Sequence, residues 1–232
     1  MRITHTSTTM NHPPIIFIAK LPSKEAQPWL KTPIYPPERQ AEILACVSEK
    51  VQKEKYFVWK LLELALWEAC GKRLQELTFS KSEHGKWRCD GAEFSLSHSE
   101  NAVCVAVMTS PEKLSSGAES DSDSSKAVGV DLQKIKDIRA DALALKILTE
   151  TELGEYHALG DHEKDAFLIH AWAKKESLFK AFGGSGFFTF DPKAFAGDVW
   201  QSTVTLDGED YALAVATKST LTPIIRFVAL NN

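Results

Sequence analysis

Two short segments with different periods set what this chain can fold into. In Trp172–Lys180 (WAKKESLFK), Trp172, Glu176 and Lys180 are four apart, which on a helix of 3.6 residues per turn makes one stripe with Glu176 and Lys180 about 6 Å apart along the axis. In Val128–Leu132 (VGVDL), Val128, Val130 and Leu132 alternate with Gly129, Asp131 and Gln133, the period of a strand. The apolar set then faces a core while Asp131 and Gln133 share the other face. A strand carboxylate facing a helix carboxylate is a candidate site for a hard cation.

The remaining chain alternates helices and short strands. Residues 1–14 are polar and read as a lead-in, and Ile15–Ala19 as a strand. Pro36 and Pro37 before Glu38 mark a helix start. Ser48 can cap a longer helix, whose apolar residues Phe57, Val58, Leu61, Leu62, Leu64, Ala65 and Leu66 recur at three and four until Gly71 ends it. Leu77–Phe79 is a short strand and Glu83–Trp87 a turn. Phe94–His98 and Ala102–Met108 predict a hairpin with Ser97 and His98 near its tip. Residues 140–147 form a short helix, Thr149 and Glu152 a capping box opening the next, and Asp161 the cap of the long helix that Gly183–Gly186 ends. Thr203–Leu206 and Tyr211–Thr217, joined at Asp207-Gly208, predict a second hairpin, and Ile224–Leu230 a closing strand.

Residues 110–126 (SPEKLSSGAESDSDSSK) carry almost no apolar surface to offset ordering entropy and read as a flexible loop. They divide the chain into an N-terminal lobe, 1–109, and a C-terminal lobe, 127–232, each with helices and a small antiparallel sheet, an α+β organisation. A chain of 232 residues, 44% hydrophobic, can bury a sizeable core. Its net charge of −4 divides as 14 Lys+Arg against 12 Asp+Glu in 1–109 and 13 against 19 in 110–232, too little positive charge for non-specific nucleic-acid binding. Cys46, Cys70, Cys89 and Cys104 form no CxxC pair and read as reduced thiols of a cytoplasmic protein. The run Ile15–Ala19 is far too short to span a bilayer, and no long apolar leader precedes it, so no membrane partner is expected.

Asp131 follows an apolar strand start, where a charge is costly, and Glu176 sits among Trp172, Leu178 and Phe179. Two carboxylates plus waters suit Mg²⁺, which dehydrates reluctantly and shares its shell with phosphate oxygens. The same residues have plainer readings. Lys180 and Glu176 can be an i, i+4 salt bridge, Ser97 and His98 a turn with a satisfied histidine, and Lys60 and Lys86 surface lysines.

FSLSHS, then VGVDL about thirty residues later, then WAKKESLFKAFG, together resemble the signature motifs of the 4′-phosphopantetheinyl transferase superfamily: a Ser-His pair, Gly-Val/Ile-Asp and Trp-x-x-Lys-Glu-x-x-x-Lys. The resemblance covers roughly residues 37–217. In length the chain is similar to the two-lobed surfactin-type members, which implies two similar lobes arranged as a pseudo-dimer within one monomer. It implies transfer of the 4′-phosphopantetheine arm of coenzyme A to a serine of an apo acyl- or peptidyl-carrier protein, with release of adenosine 3′,5′-bisphosphate. On that resemblance Asp131 and Glu176 bind Mg²⁺, Glu176 also helps deprotonate the serine, and Lys180 holds the pyrophosphate. Ser97, His98 and Lys86 then contact the nucleotide's phosphates.

Two positions depart from the family pattern. Many surfactin-type members carry a third acid where this chain has Gln133, which can offer a metal a carbonyl oxygen but no charge. Members often have an Arg before the leucine pair of the long N-terminal helix; here Lys60 precedes Leu61-Leu62 and is the candidate for a nucleotide phosphate. The departure at Gln133 leaves a second expectation, a non-catalytic binder of coenzyme A or a carrier protein with a weakened metal site. A third is an interaction protein in which these residues lie scattered.

Overall fold

The computed structural model describes residues 12–22, 32–83, 85–109, 127–138, 141–183, 187 and 197–230. The loop expected at 110–126 lies outside them. In chain order the elements are β1 (Ile15–Lys20), α1 (Pro37–Leu44), α2 (Glu49–Cys70), β2 (Phe79–Lys81), β3 (Trp87–Cys89), β4 (Ala92–Ser99), β5 (Ala102–Thr109) and β6 (Val128–Lys134). They continue with α3 (Asp141–Ile147), α4 (Glu150–Ala158), α5 (Asp161–Phe182), β7 (Asp198–Leu206), β8 (Glu209–Thr217) and β9 (Ile224–Val228). The mixed α+β architecture has a sheet ordered β4-β5-β1-β9, a second ordered β6-β8-β7, and the small pair β2-β3.

Strand alternation sorts side chains between layers. Ile16 and Ile18 of β1 and Ala102, Cys104 and Ala106 of β5 pack against Val130 and Leu132 of β6 and Tyr211, Leu213 and Val215 of β8, a core between the two larger sheets. The opposite residues of the first sheet, Phe17, Val103, Val105 and Val107, meet Phe57, Val58, Leu61, Leu62 and Ala65 of α2. Those of the second, Ala212 and Ala214, meet Ile169 and Ala173 of α5, and Ala216 meets Leu178. One long helix therefore covers the outer face of each sheet. The alanines of YALAVAT make room for α5. At Gly129 the approach is closer still, because a Cβ there would lie 1.9 Å from the Ser177 carbonyl oxygen and 2.5 Å from the Ala181 nitrogen.

The local signals work as their chemistry dictates. Pro37 opens α1, the Ser48 hydroxyl accepts from the Val51 N–H at 3.5 Å, and Gly71 closes α2 in the left-handed region at φ 67°. The Thr149–Glu152 capping box opens α4. The long helix starts one residue from expectation: Gly160 is its N-cap, and its N–H is accepted by the Glu163 carboxylate at 3.2 Å. Gly183 ends α5 as expected, while 184–186 lie outside the described residues.

Several strands differ from the sequence expectation: Trp87–Cys89 forms a strand that was not expected, and the one expected at Thr203–Leu206 begins at Asp198. The strand expected at Leu77–Phe79 begins at Phe79, because Leu77 is buried close against Gly91 after a single 3₁₀ turn at Leu74–Glu76. The closing strand leaves the sheet of the C-terminal segment altogether. Ile224–Val228 lies parallel to β1, with Ile224 opposite Ile15 and the Ile224 N–H bonded to the Pro14 carbonyl at 2.9 Å. A parallel neighbour requires a crossover, and here it spans nearly the whole chain.

Candidate active site

The site forms where β4, β6 and α5 meet. Gly129 lets α5 settle on β6, so Asp131, two residues on, is 1% exposed and faces the helix. Helical phase then brings Glu176 and Lys180 over it. Lys180 Nζ lies 2.6 Å from Asp131 Oδ1 and 3.5 Å from Glu176 Oε2, so those two carboxylate oxygens are at most about 6.1 Å apart. Burial, then the neighbouring Asp131, push the Glu176 carboxyl up to about 7. Burial opposes the Lys180 ammonium, but Asp131 and Glu176 outweigh it and hold its pKa above the usual value.

Four hydrogen bonds hold Asp131 and its neighbour. Oδ1 accepts from the Ser97 hydroxyl at 2.8 Å and from Lys180; Oδ2 accepts from Gln133 Nε2 at 3.0 Å; and the Gln133 carbonyl oxygen accepts from the Ser99 hydroxyl at 3.4 Å. These bonds place two of the sequence candidates. Gln133 meets Asp131 through its amide nitrogen, and its oxygen accepts from Ser99. Ser97 is 3% exposed and gives its hydroxyl hydrogen to Asp131.

The other candidates divide. Lys86 reaches this corner, yet its ammonium donates to the Lys180 carbonyl at 2.8 Å and the Val128 carbonyl at 3.4 Å. Burial lowers its pKa to about 8. His98 is near the cluster, with Nδ1 3.1 Å from Glu54 Oε2; burial, then Lys180 and Lys55, push its pKa down to about 4, leaving a neutral ring at neutral pH. Lys60 is not brought in. It pairs with Glu63 and lines a hollow with Leu64, Trp67, Arg73 and Gln75, because six residues along α2 from Glu54 rotate it to another face.

Sequence reasoning missed Glu54 and Arg39. Glu54 lies on the apolar stripe of α2 at 4% exposure, and Arg39, at 8%, packs its guanidinium 4.8 Å from the Trp59 ring centre and pairs with Glu42 at 3.1 Å. The signal for Glu54 was a charge four residues before Val58, on the stripe the helix buries.

Among the described residues no three His, Cys, Asp or Glu side chains gather as metal ligands. Asp131 and Glu176 nonetheless fit a divalent cation that takes much of its shell from phosphate and water. They are two converging carboxylates in a partly desolvated corner, with a lysine ammonium between them. No described helix is long and apolar enough to cross a membrane.

Comparison with known proteins places the same residues in context. Residues 127–218, which hold Asp131, Glu176 and Lys180, match the model of the 4′-phosphopantetheinyl transferase superfamily. A 61-residue stretch is 38% identical to the holo-[acyl-carrier-protein] synthase of Bacillus subtilis (strain 168), covering 24% of this chain and 50% of that protein. The chain thus spans half the length of that curated relative.

Proposed function

We propose that this protein transfers the 4′-phosphopantetheine moiety of coenzyme A to a serine of an apo acyl- or peptidyl-carrier protein, with Mg²⁺, releasing adenosine 3′,5′-bisphosphate. The observation that carries this reading is the convergence of Asp131, Glu176 and Lys180, each within a signature motif and inside the segment that matches the superfamily. Asp131 and Glu176 would hold Mg²⁺, which when bound neutralises the pyrophosphate as its bond breaks. Glu176 takes the proton of the carrier serine, directly or through water. The serine oxygen bonds to the phosphorus of the pantetheine half, and the bridging oxygen leaves with the bisphosphate. Lys180 moves its charge from the carboxylates onto that leaving group. The N-terminal half supplies Ser97, Ser99 and Lys86 to the same corner, which supports a two-lobed, surfactin-type monomer with both halves in one chain. Free thiols at all four cysteines support a cytoplasmic setting.

One observation favours the second reading, a coenzyme or carrier binder without transfer: Asp131 already accepts three hydrogen bonds, from Ser97, Gln133 and Lys180. Mass spectrometry of candidate apo-carriers incubated with coenzyme A decides between them. A phosphopantetheine mass gain that requires Mg²⁺ is the expected result. Coenzyme binding without mass gain on any carrier establishes the binder.

A further inference from the structure

We infer that Ser97 is a positioning residue that fixes the Asp131 carboxylate from the opposite sheet. The inference rests on the reading of Asp131 as a metal ligand given above. It begins with two sheet edges. β4 ends one sheet and β6 ends the other, and an edge strand presents backbone N–H groups with no strand partner. Three serines of β4 meet them in step. The Val130 N–H donates to the Ser95 hydroxyl at 3.0 Å, the Leu132 N–H to Ser97 at 3.1 Å, and the Lys134 N–H to Ser99 at 3.0 Å. Alternation by two on both strands keeps the pairs in register.

Each hydroxyl that accepts from β6 still has one hydrogen to give. Ser97 gives it to Asp131 Oδ1, and Ser99 gives it to the Gln133 side chain, whose amide holds Oδ2. Both oxygens of Asp131 are therefore oriented before any ligand arrives. Outer partners of this kind typically change metal affinity by about 10–100-fold. Ser95 supplies an internal control. It makes the same kind of seam contact, to the Val130 N–H, with no hydrogen bond to Asp131, Glu176 or Lys180 among the described residues.

The experiment compares wild type, Ser95→Ala, Ser97→Ala and Ser97→Cys, the last keeping the shape with only a weak donor. Urea denaturation reads the seam. Calorimetric titration of Mg²⁺ into the full chain with coenzyme A bound reads the site, and steady-state transfer gives the coenzyme KM at saturating Mg²⁺. Both alanine variants are expected to lose stability, Ser97→Ala more, because it also takes a donor from the buried Asp131 carboxylate. Only the Ser97 variants are expected to raise the Mg²⁺ dissociation constant, by about tenfold for alanine, with the coenzyme KM unchanged. Equal Mg²⁺ shifts in Ser95→Ala and Ser97→Ala overturn the inference, as does an unshifted constant in both Ser97 variants. A raised coenzyme KM without a Mg²⁺ effect returns Ser97 to the nucleotide. If EDTA leaves wild-type transfer and coenzyme binding unchanged, the metal reading itself fails, and the role of Ser97 with it.

Discussion

The Lys86 ammonium lies 2.8 Å from the backbone carbonyl oxygen of Lys180, so a turn in the first half of the chain caps the last turn of the helix that carries the site. Carbonyls in a final helical turn lack intrahelical donors and favour a cation. The second contact, to the Val128 carbonyl, ties the start of β6 to the same point. Lys86→Met is expected to cost about 1–3 kcal/mol at pH 7, the usual range for leaving buried polar groups unpaired. Burial lowers the Lys86 pKa from 10.5 to about 8. Between those values the unfolded chain holds a proton that the folded protein lacks, so this group makes stability rise with pH across that window. Urea denaturation between pH 7 and 10 checks both points: Lys86→Met should be weaker at pH 7 and should lose the rise.

Glu176 predicts the opposite slope. With its pKa raised from 4.5 to about 7, the folded protein keeps a proton that the unfolded chain has released, so stability falls as pH rises through that interval. Glu176→Gln has no proton to lose. Denaturation in EDTA at pH 5 and pH 8 should show a smaller drop for the variant than for wild type. Its transfer activity should be absent at every Mg²⁺ concentration, and wild-type transfer in Glu176→Gln overturns the role assigned here.

Gly129→Ala tests how the site is assembled. The new methyl would meet the Ser177 carbonyl at 1.9 Å and the Ala181 nitrogen at 2.5 Å, both backbone atoms of α5 that cannot rotate aside. Overpacking typically costs about 1–3 kcal/mol and sometimes more, and backbone neighbours put this case at or above the upper figure. A melting temperature within a few degrees of wild type would show that α5 can shift freely.

The sequence carried the site where a residue's role follows from its own element. Strand alternation turned Asp131 toward a helix, and helical phase put Glu176 and Lys180 on one stripe; both follow from period alone. What pairs across elements did not show. FSLSHS reads equally as a strand end offering hydroxyls to a ligand, and only the packing of two sheet edges reveals that Ser95, Ser97 and Ser99 meet alternate N–H groups of β6. Lys86 looks like any turn lysine until α5 ends beside it. The placement of Ile224–Val228 beside β1 is likewise set by contacts more than two hundred residues apart, beyond any local pattern. Glu54 was legible and overlooked, since a carboxylate on a buried stripe needs a partner and His98 Nδ1 stands 3.1 Å away.

Gln133 is where this chain leaves the commoner three-acid pattern, and its geometry makes a sharper test than composition allowed. Its amide nitrogen donates to Asp131 Oδ2 at 3.0 Å. Gln133→Glu replaces that donor with a second carboxylate oxygen against the first, while Ser99 can still donate to it. Without a cation, two acids at hydrogen-bond distance repel, and one of them must take a proton or turn away. With Mg²⁺ and the coenzyme's pyrophosphate present, the same acid adds charge to the cation site. The variant should therefore melt below wild type in EDTA and gain more than wild type from Mg²⁺ plus coenzyme A. It should also need less Mg²⁺ for half-maximal transfer. Thermal melts with EDTA, with Mg²⁺ and with Mg²⁺ plus coenzyme A, run beside a Mg²⁺ titration of carrier modification, check all three. Equal melting of the two proteins in EDTA would mean that the Gln133 amide does not brace Asp131. An unchanged Mg²⁺ requirement would place Gln133 outside the reach of the metal.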